Sequence, residues 1–199
     1  MVGQADAMSK RILILNGHPD PRAGRFCAAL CDAYAAGAQA AGHEVRRLDV
    51  GLIDAPLLET AEAFATPPSE GLQAVQAAMV RAEHLVLVFP LWLGGVPART
   101  KALLEQVYRG GFGFTVHERG WTSKLKGRSA RLVVTMGMPG PVFWLLFGGH
   151  GLKALEKGVL WLSGYGPIRH SVVGAVEGMG PRGRGQWLSK MRKLGAKAA

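Results

Sequence analysis

Cysteine, acidic groups and long apolar runs are all scarce in this chain of 199 residues. Its two cysteines, Cys27 and Cys31, are four apart on a predicted helix, so their side chains project side by side rather than toward each other. They are read as small buried residues, and neither a disulfide nor a metal site is expected. No stretch approaches the roughly 20 apolar residues that span a bilayer; the longest, "PVFWLLF" and "GVLWLSG", are far shorter, so no membrane span is expected. The opening "MVGQADAMSKR" lacks the apolar core of a signal peptide, which predicts a cytoplasmic protein. Residues 1–9 read as a loose tail and 10–199 as a single domain.

Acidic residues number 14 against 24 Lys and Arg, a formal charge of +10. The basic residues are scattered, and no aromatic-basic motif accompanies them, so a nucleic-acid partner is not expected. A cationic surface equally suits phosphorylated ligands. Both G-x-G-x-x-G and G-x-x-x-x-G-K-[ST] are absent, so any phosphate site uses another turn.

The chain alternates between apolar strand runs and helical patterns. Strands are predicted over 11–16, 44–49, 84–90, 130–135 and 168–176, and helices over 26–41, 70–82, 98–108, 153–162 and 184–194. Five strands joined by helical crossovers imply an α/β doubly wound parallel sheet, and in one common order of that plan, 2-1-3-4-5, strands one, three and four are neighbours. Two segments break the alternation: Arg109 to Arg128, and "GMPGPVFWLLFGGHG". Long irregular pieces at strand ends are expected to wall a site.

In such a sheet ligands bind at the carboxyl ends of the strands near the reversal of strand order. Three unusual loops lie there: Gly17 to Arg25, Leu91 to Pro97, and Met136 to Val142. The first carries His18, Arg22 and Arg25 ahead of a helix N-terminus, a setting that stabilises a phosphate by hydrogen bonds and the helix dipole; the alternative is a solvated turn. The second, "PLWLGGVPA", and the third, "TMGMPGPVF", offer glycine-rich backbone able to approach a flat ligand and donate to its heteroatoms, although Trp92 could equally plug the core. A phosphate cradle with two glycine-rich walls outlines a flavin mononucleotide site.

The segments "PLWLGGVPARTKALLEQVYRGGFGF", "LKGRSARLVVTMGMPG" and "HGLKALEKGVLWLSGYGPIRHSVVGAVE" resemble the flavodoxin-like NAD(P)H:quinone reductases, the family of modulator of drug activity B and DT-diaphorase. The resemblance runs from about Arg11 to Leu194 and implies a flavodoxin-like fold. It implies two-electron ping-pong transfer from NADPH or NADH through FMN or FAD to a quinone, with azo or nitro compounds, or a regulatory role beside a transport system, as alternatives. By resemblance His18, Arg25, Phe26 and Cys27 hold the flavin phosphate. Pro90, Leu91, Trp92, Leu93 and Gly94 meet the ring edge near N5 and O4, and Thr135, Met136, Gly137 and Met138 the edge near N1 and O2.

This chain departs from the family's pattern in three places. Arg25 replaces a common Ser or Thr, Cys27 an Asn, and Phe143 a common Tyr. His150 matches the family's His after the third loop and is the candidate catalytic residue; alternatively it packs at a helix entry between glycines. Phe112, Phe114, Phe143 and Trp144, with Trp121 and Phe147, wall a substrate pocket or bury at the interface of the homodimer that the resemblance implies. Trp144 to Phe147 could also be plain core.

Overall fold

The computed structural model describes residues 9–22 and 24–199. Of the predicted tail, residues 1–8 lie outside the described residues; Ser9 is tied down, its hydroxyl donating to the Gly42 carbonyl at 2.7 Å.

Five parallel strands form the main sheet: β1 (Arg11–Asn16), β2 (Glu44–Asp49), β3 (His84–Pro90), β6 (Ser129–Thr135) and β7 (Ile168–Val173), in the order β2-β1-β3-β6-β7. Counted within the sheet, this is 2-1-3-4-5. The three central strands carry near-continuous apolar runs, interrupted in β6 by Arg131, because both of their faces are covered. Side chains alternate between those faces. Leu13, Leu15, Leu85, Leu87, Phe89, Leu132 and Val134 pack on one side against α3 (Glu70–Arg81), α4 (Ala98–Val107) and α6 (His150–Leu155). Ile12, Ile14, Val86, Val88, Val133 and Val173 pack on the other against α1 (Phe26–Ala40) and α7 (Pro181–Ala196).

Local chemistry sets the helix ends. α1 is alanine-rich and stops at Gly42, whose φ of 83° is the left-handed conformation that ends many helices. α3 carries Glu70 in its first turn and Arg81 in its last, each matched to the helix dipole.

Several sequence expectations need correction. The helix expected over 153–162 begins at His150 and passes into a π-helical segment, Glu156–Trp161. The last strand ends at Val173 rather than 176, and the final helix is longer, starting at Pro181. Arg109 to Arg128 is not wholly irregular: it contains a hairpin, β4 (Phe114–His117) paired antiparallel with β5 (Gly120–Ser123). Four-residue, largely exposed strands leave too little hydrophobic alternation to be read in sequence. Two short helices also went unpredicted, α2 (Ala61–Ala65) and α5 (Gly140–Leu145). No helix among the described residues is long and apolar enough to cross a membrane.

Candidate functional site

Loop one leaves β1 at Asn16, a fully buried residue that braces the turn. Its Nδ2 donates to Asp49 Oδ1 at 2.7 Å, and its Oδ1 accepts from the His18 amide at 3.3 Å. The Gly17 carbonyl accepts from the Thr100 hydroxyl at 2.6 Å, which fastens the loop to the first turn of α4. His18 is half-buried, and its Nδ1 accepts from the Asp20 amide at 3.0 Å. Burial lowers its pKa from the ordinary value, with the Arg25 charge adding to the effect. The same Nδ1 lies 3.1 Å from the Asp20 carbonyl, to which the other tautomer or the imidazolium donates.

Asp20 organises the two arginines of this loop. Arg22 donates to it through Nη2 at 2.6 Å and Arg25 through Nε at 2.7 Å and through Nη2. These contacts, those of Arg22 foremost, hold its carboxyl well below the usual carboxylate range. Arg25, expected to meet a phosphate, is thus already engaged, although a guanidinium has five N–H donors and this one is 41% exposed.

Phe26 and Cys27 open α1, where the first amides have no intrahelical acceptor. The Cys27 side chain is buried, its Sγ 3.4 Å from Thr135 Oγ1, and burial pushes its thiol up to about 11. Only the main chain of Cys27 is available to a ligand.

Loop two is a tight turn. Trp92 and Gly95 exchange two backbone hydrogen bonds of 3.0 Å, and between them Leu93 (φ 47°) and Gly94 (φ 82°) both adopt left-handed conformations. A leucine pays strain there; its side chain is fully exposed. The amides of Leu93 and Gly94 meet no backbone acceptor among the described residues. Trp92 is half exposed and stands edge-on to His18 at 5.9 Å, joining loops one and two. The Leu91 amide donates to the Thr135 carbonyl at 2.8 Å, joining loops two and three. Pro90 is the buried last residue of β3.

In loop three, Thr135 and Met136 are buried, and the main chain of Met136 and Met138 pairs with the segment after β7. Val173 accepts from the Met136 amide at 3.0 Å, while the carbonyls of Met136 and Met138 accept from Val176 and Ala175. That leaves the amides of Gly137 and Met138 without a backbone acceptor among the described residues. A Cβ on Gly137 would lie 3.1 Å from Glu177 Oε1, so a carboxylate borders this loop.

The aromatic residues separate. Phe143 is 2% exposed: it belongs to the core under α5, not to an open pocket wall. Trp144 is exposed, its ring against Gly149 and 6.2 Å from His170. Trp144 to Phe147 are therefore not core. Phe112 is half-buried against Tyr108, and Phe114 lines a half-open apolar hollow of about 470 Å³ with Phe64, Leu104, Tyr108, Leu155 and Val159. His150 is exposed at the first position of α6. The next residue, Gly151, abuts the Gly94 carbonyl, so His150 stands beside loop two.

Sequence reasoning missed three contributors: Asp20, Thr100 and Glu177. Asp20 had a signal, since Asp two residues before Arg22 in a proline-flanked turn is an Asx-turn pattern, and the Arg22 amide indeed donates to Asp20 Oδ1 at 3.1 Å. Thr100 and Glu177 reach the loops only through the tertiary fold. Among the described residues no group of three His, Cys, Asp or Glu stands together as metal ligands would.

Residues 10–194 match a family model described as "Flavodoxin-like fold". No curated protein matches the chain by sequence. Among solved structures, the chain is similar to an NAD(P)H:quinone oxidoreductase from Methanothermobacter marburgensis at 18% identity, with 96% of this chain and 100% of that one covered and a TM-score of 0.83. Smu.1420 from Streptococcus mutans UA159 is 22% identical, with coverages of 94% and 98% and a TM-score of 0.79. An FMN-dependent NADH-azoreductase from Bacillus anthracis str. Ames Ancestor, in complex with FMN, is 15% identical, with coverages of 94% and 98% and a TM-score of 0.74.

Proposed function

The chain belongs to the flavodoxin-like fold family over residues 10–194, and from that premise we propose that it is a flavin-dependent NAD(P)H oxidoreductase acting on a quinone or related acceptor. The observation that carries the reading is that three loops with main-chain donors not used within the backbone lie side by side. The first turn of α1 opens beside His18, the Leu93 and Gly94 amides lie in loop two, and the Gly137 and Met138 amides lie in loop three. These loops sit on the adjacent strands β1, β3 and β6 and are tied together by the Trp92–His18 and Leu91–Thr135 contacts.

Such a donor set fits a flavin: phosphate at a helix N-terminus, ring heteroatoms at loop amides. His18, the amides of Phe26 and Cys27, and Arg25 would hold the phosphate, each charge-assisted bond contributing about 1.5–3 kcal/mol. Leu91 to Gly94 would border one edge of the ring and Thr135 to Met138 the other. Bound there, a flavin supplies two-electron transfer between a reduced nicotinamide and an acceptor. Amides pointed at a site of growing negative charge stabilise it without reorganising. His150, exposed beside loop two, would hold or deliver a proton at the acceptor oxygen. Trp92 and Trp144 would limit access to the cleft.

FMN is the favoured form, since the azoreductase of this fold is described with FMN, and the cationic surface favours NADPH over NADH. We also propose a cytoplasmic homodimer. The test is an absorbance spectrum after incubation with FMN or FAD and desalting, then anaerobic NADPH, then a quinone. Retained yellow colour that bleaches and returns supports the reading and identifies the cofactor. A colourless protein with either flavin overturns it. Sedimentation velocity tests the dimer.

A further inference from the structure

We propose that the face built from α5, the turn after it and the π-helical segment docks on an anionic lipid bilayer. Val142, Trp144, Leu145, Leu146 and Phe147 are 39%, 37%, 86%, 72% and 54% exposed. Within this run only Phe143 turns into the core. A contiguous exposed apolar surface of this kind marks an interaction site rather than ordinary surface composition.

The patch continues past α5 through direct neighbours. Trp144 stands 6.2 Å from His170, His170 Nε2 is 3.1 Å from Glu156, and Lys157 lies 3.8 Å from Glu156 and over the ring of Trp161 at 5.5 Å. Trp161 in turn meets Trp121 of the hairpin at 5.5 Å. Trp161 and Trp121 are each nearly half exposed. The result is an aliphatic prow with three tryptophans along its border. Indoles favour the headgroup level of a membrane, where ring and N–H meet different surroundings.

Charge selects lipid over other occupants. Lys153 and Lys157 are exposed on the helical segment that borders the patch, and the neighbouring carboxylate of Glu156 is covered by His170 and Lys157. The whole chain carries +10. Lysine stems can lie along apolar surface with their heads at phosphates, where an anionic leaflet attracts them. A twofold contact between copies centred on this face would instead set the same cations against each other. α5 begins where loop three ends, so docking turns the mouth of the cleft toward the bilayer.

The test is co-sedimentation of the full chain with phosphatidylglycerol-containing vesicles and with pure phosphatidylcholine vesicles, no flavin being needed. We expect binding to the anionic vesicles that weakens with salt, a blue shift of tryptophan emission, and binding about tenfold or more weaker in Leu145→Ser/Leu146→Ser. Those side chains are exposed, so the variant should keep the wild-type Tm. Lys153→Gln/Lys157→Gln should lose the preference for anionic lipid. Wild-type protein left in the supernatant with both vesicles would overturn the proposal, as would equal binding by the leucine variant. A leucine variant that changes oligomeric state without changing vesicle binding would assign the face to a second copy and overturn it too.

Discussion

Gly151 at the start of α6 and Gly94 in loop two stand backbone to backbone: a Cβ at position 151 would overlap the Gly94 carbonyl oxygen. This contact fixes the turn that presents the Leu93 and Gly94 amides, and it holds His150 next to them. Gly151→Ala should lower stability by about 1–3 kcal/mol, the usual cost of forcing a methyl into a packed contact, and should weaken FMN binding. Gly158→Ala is the control, since a Cβ there meets nothing within 4 Å. Thermal melts and flavin titrations of the two variants check this.

Arg25 is held by Asp20, so a phosphate bound at loop one as proposed would compete with Asp20 for it. Arg25→Ala should weaken FMN binding by about tenfold, the loss of one charge-assisted bond. Asp20→Asn should tighten it, because the guanidiniums of Arg22 and Arg25 lose their carboxylate. Fluorescence titration of FMN gives both values; unchanged affinity in both variants would place the phosphate elsewhere.

His84 gives stability a pH dependence. It is buried beneath Tyr34, with its Nδ1 2.7 Å from Ser129 Oγ, and burial above all pushes its pKa down to about 3. The unfolded chain, with an ordinary histidine near 6.5, binds this proton more readily than the folded one. The stability tied to His84 is therefore fully present above pH 6.5 and is lost as pH falls toward 3, at up to about 1.4 kcal/mol per pH unit. Urea midpoints at neutral and mildly acidic pH should fall less steeply in His84→Gln than in wild type.

His150→Gln should keep its flavin and lose turnover by about a hundredfold if the imidazole moves a proton. A kcat unchanged across pH would return His150 to a helix-entry role beside Gly149 and Gly151.

Phe143→Ala should cost about 3–5 kcal/mol, the range for emptying a core aromatic site, since Phe143 is 2% exposed. A small shift in the urea midpoint would mean that the ring is not a core residue.

The central sheet and most of its crossovers were legible because their signals are local. "ILIL" and "HLVLVFP" must be buried on both faces, and Gly42 must end a helix. The three loops were legible for the same reason, as glycine- and proline-rich punctuation at strand ends. The hairpin from Phe114 to Ser123 and the short helix α5 were not, since each is too brief for its periodicity to stand out. The run "VFWLLF" could be read as pocket wall, interface or core, and its composition does not say which way each side chain faces; five of its six positions, 142–147, are exposed.

By itself the sequence determined which segments are buried strands, the helices that cover both faces of the sheet, and which loops lie at its carboxyl edge, because binary patterning and crossover handedness leave few alternatives; the strand order followed from the resemblance and is the one found. Tertiary structure alone decided how the side chains divide their work. It gave Arg25 to Asp20, sent Phe143 inward and Leu145 outward, buried Cys27 against Thr135, and set Gly151 on Gly94. Each of these depends on partners distant in sequence or on which way one short turn faces, and neither is written in the local pattern of residues.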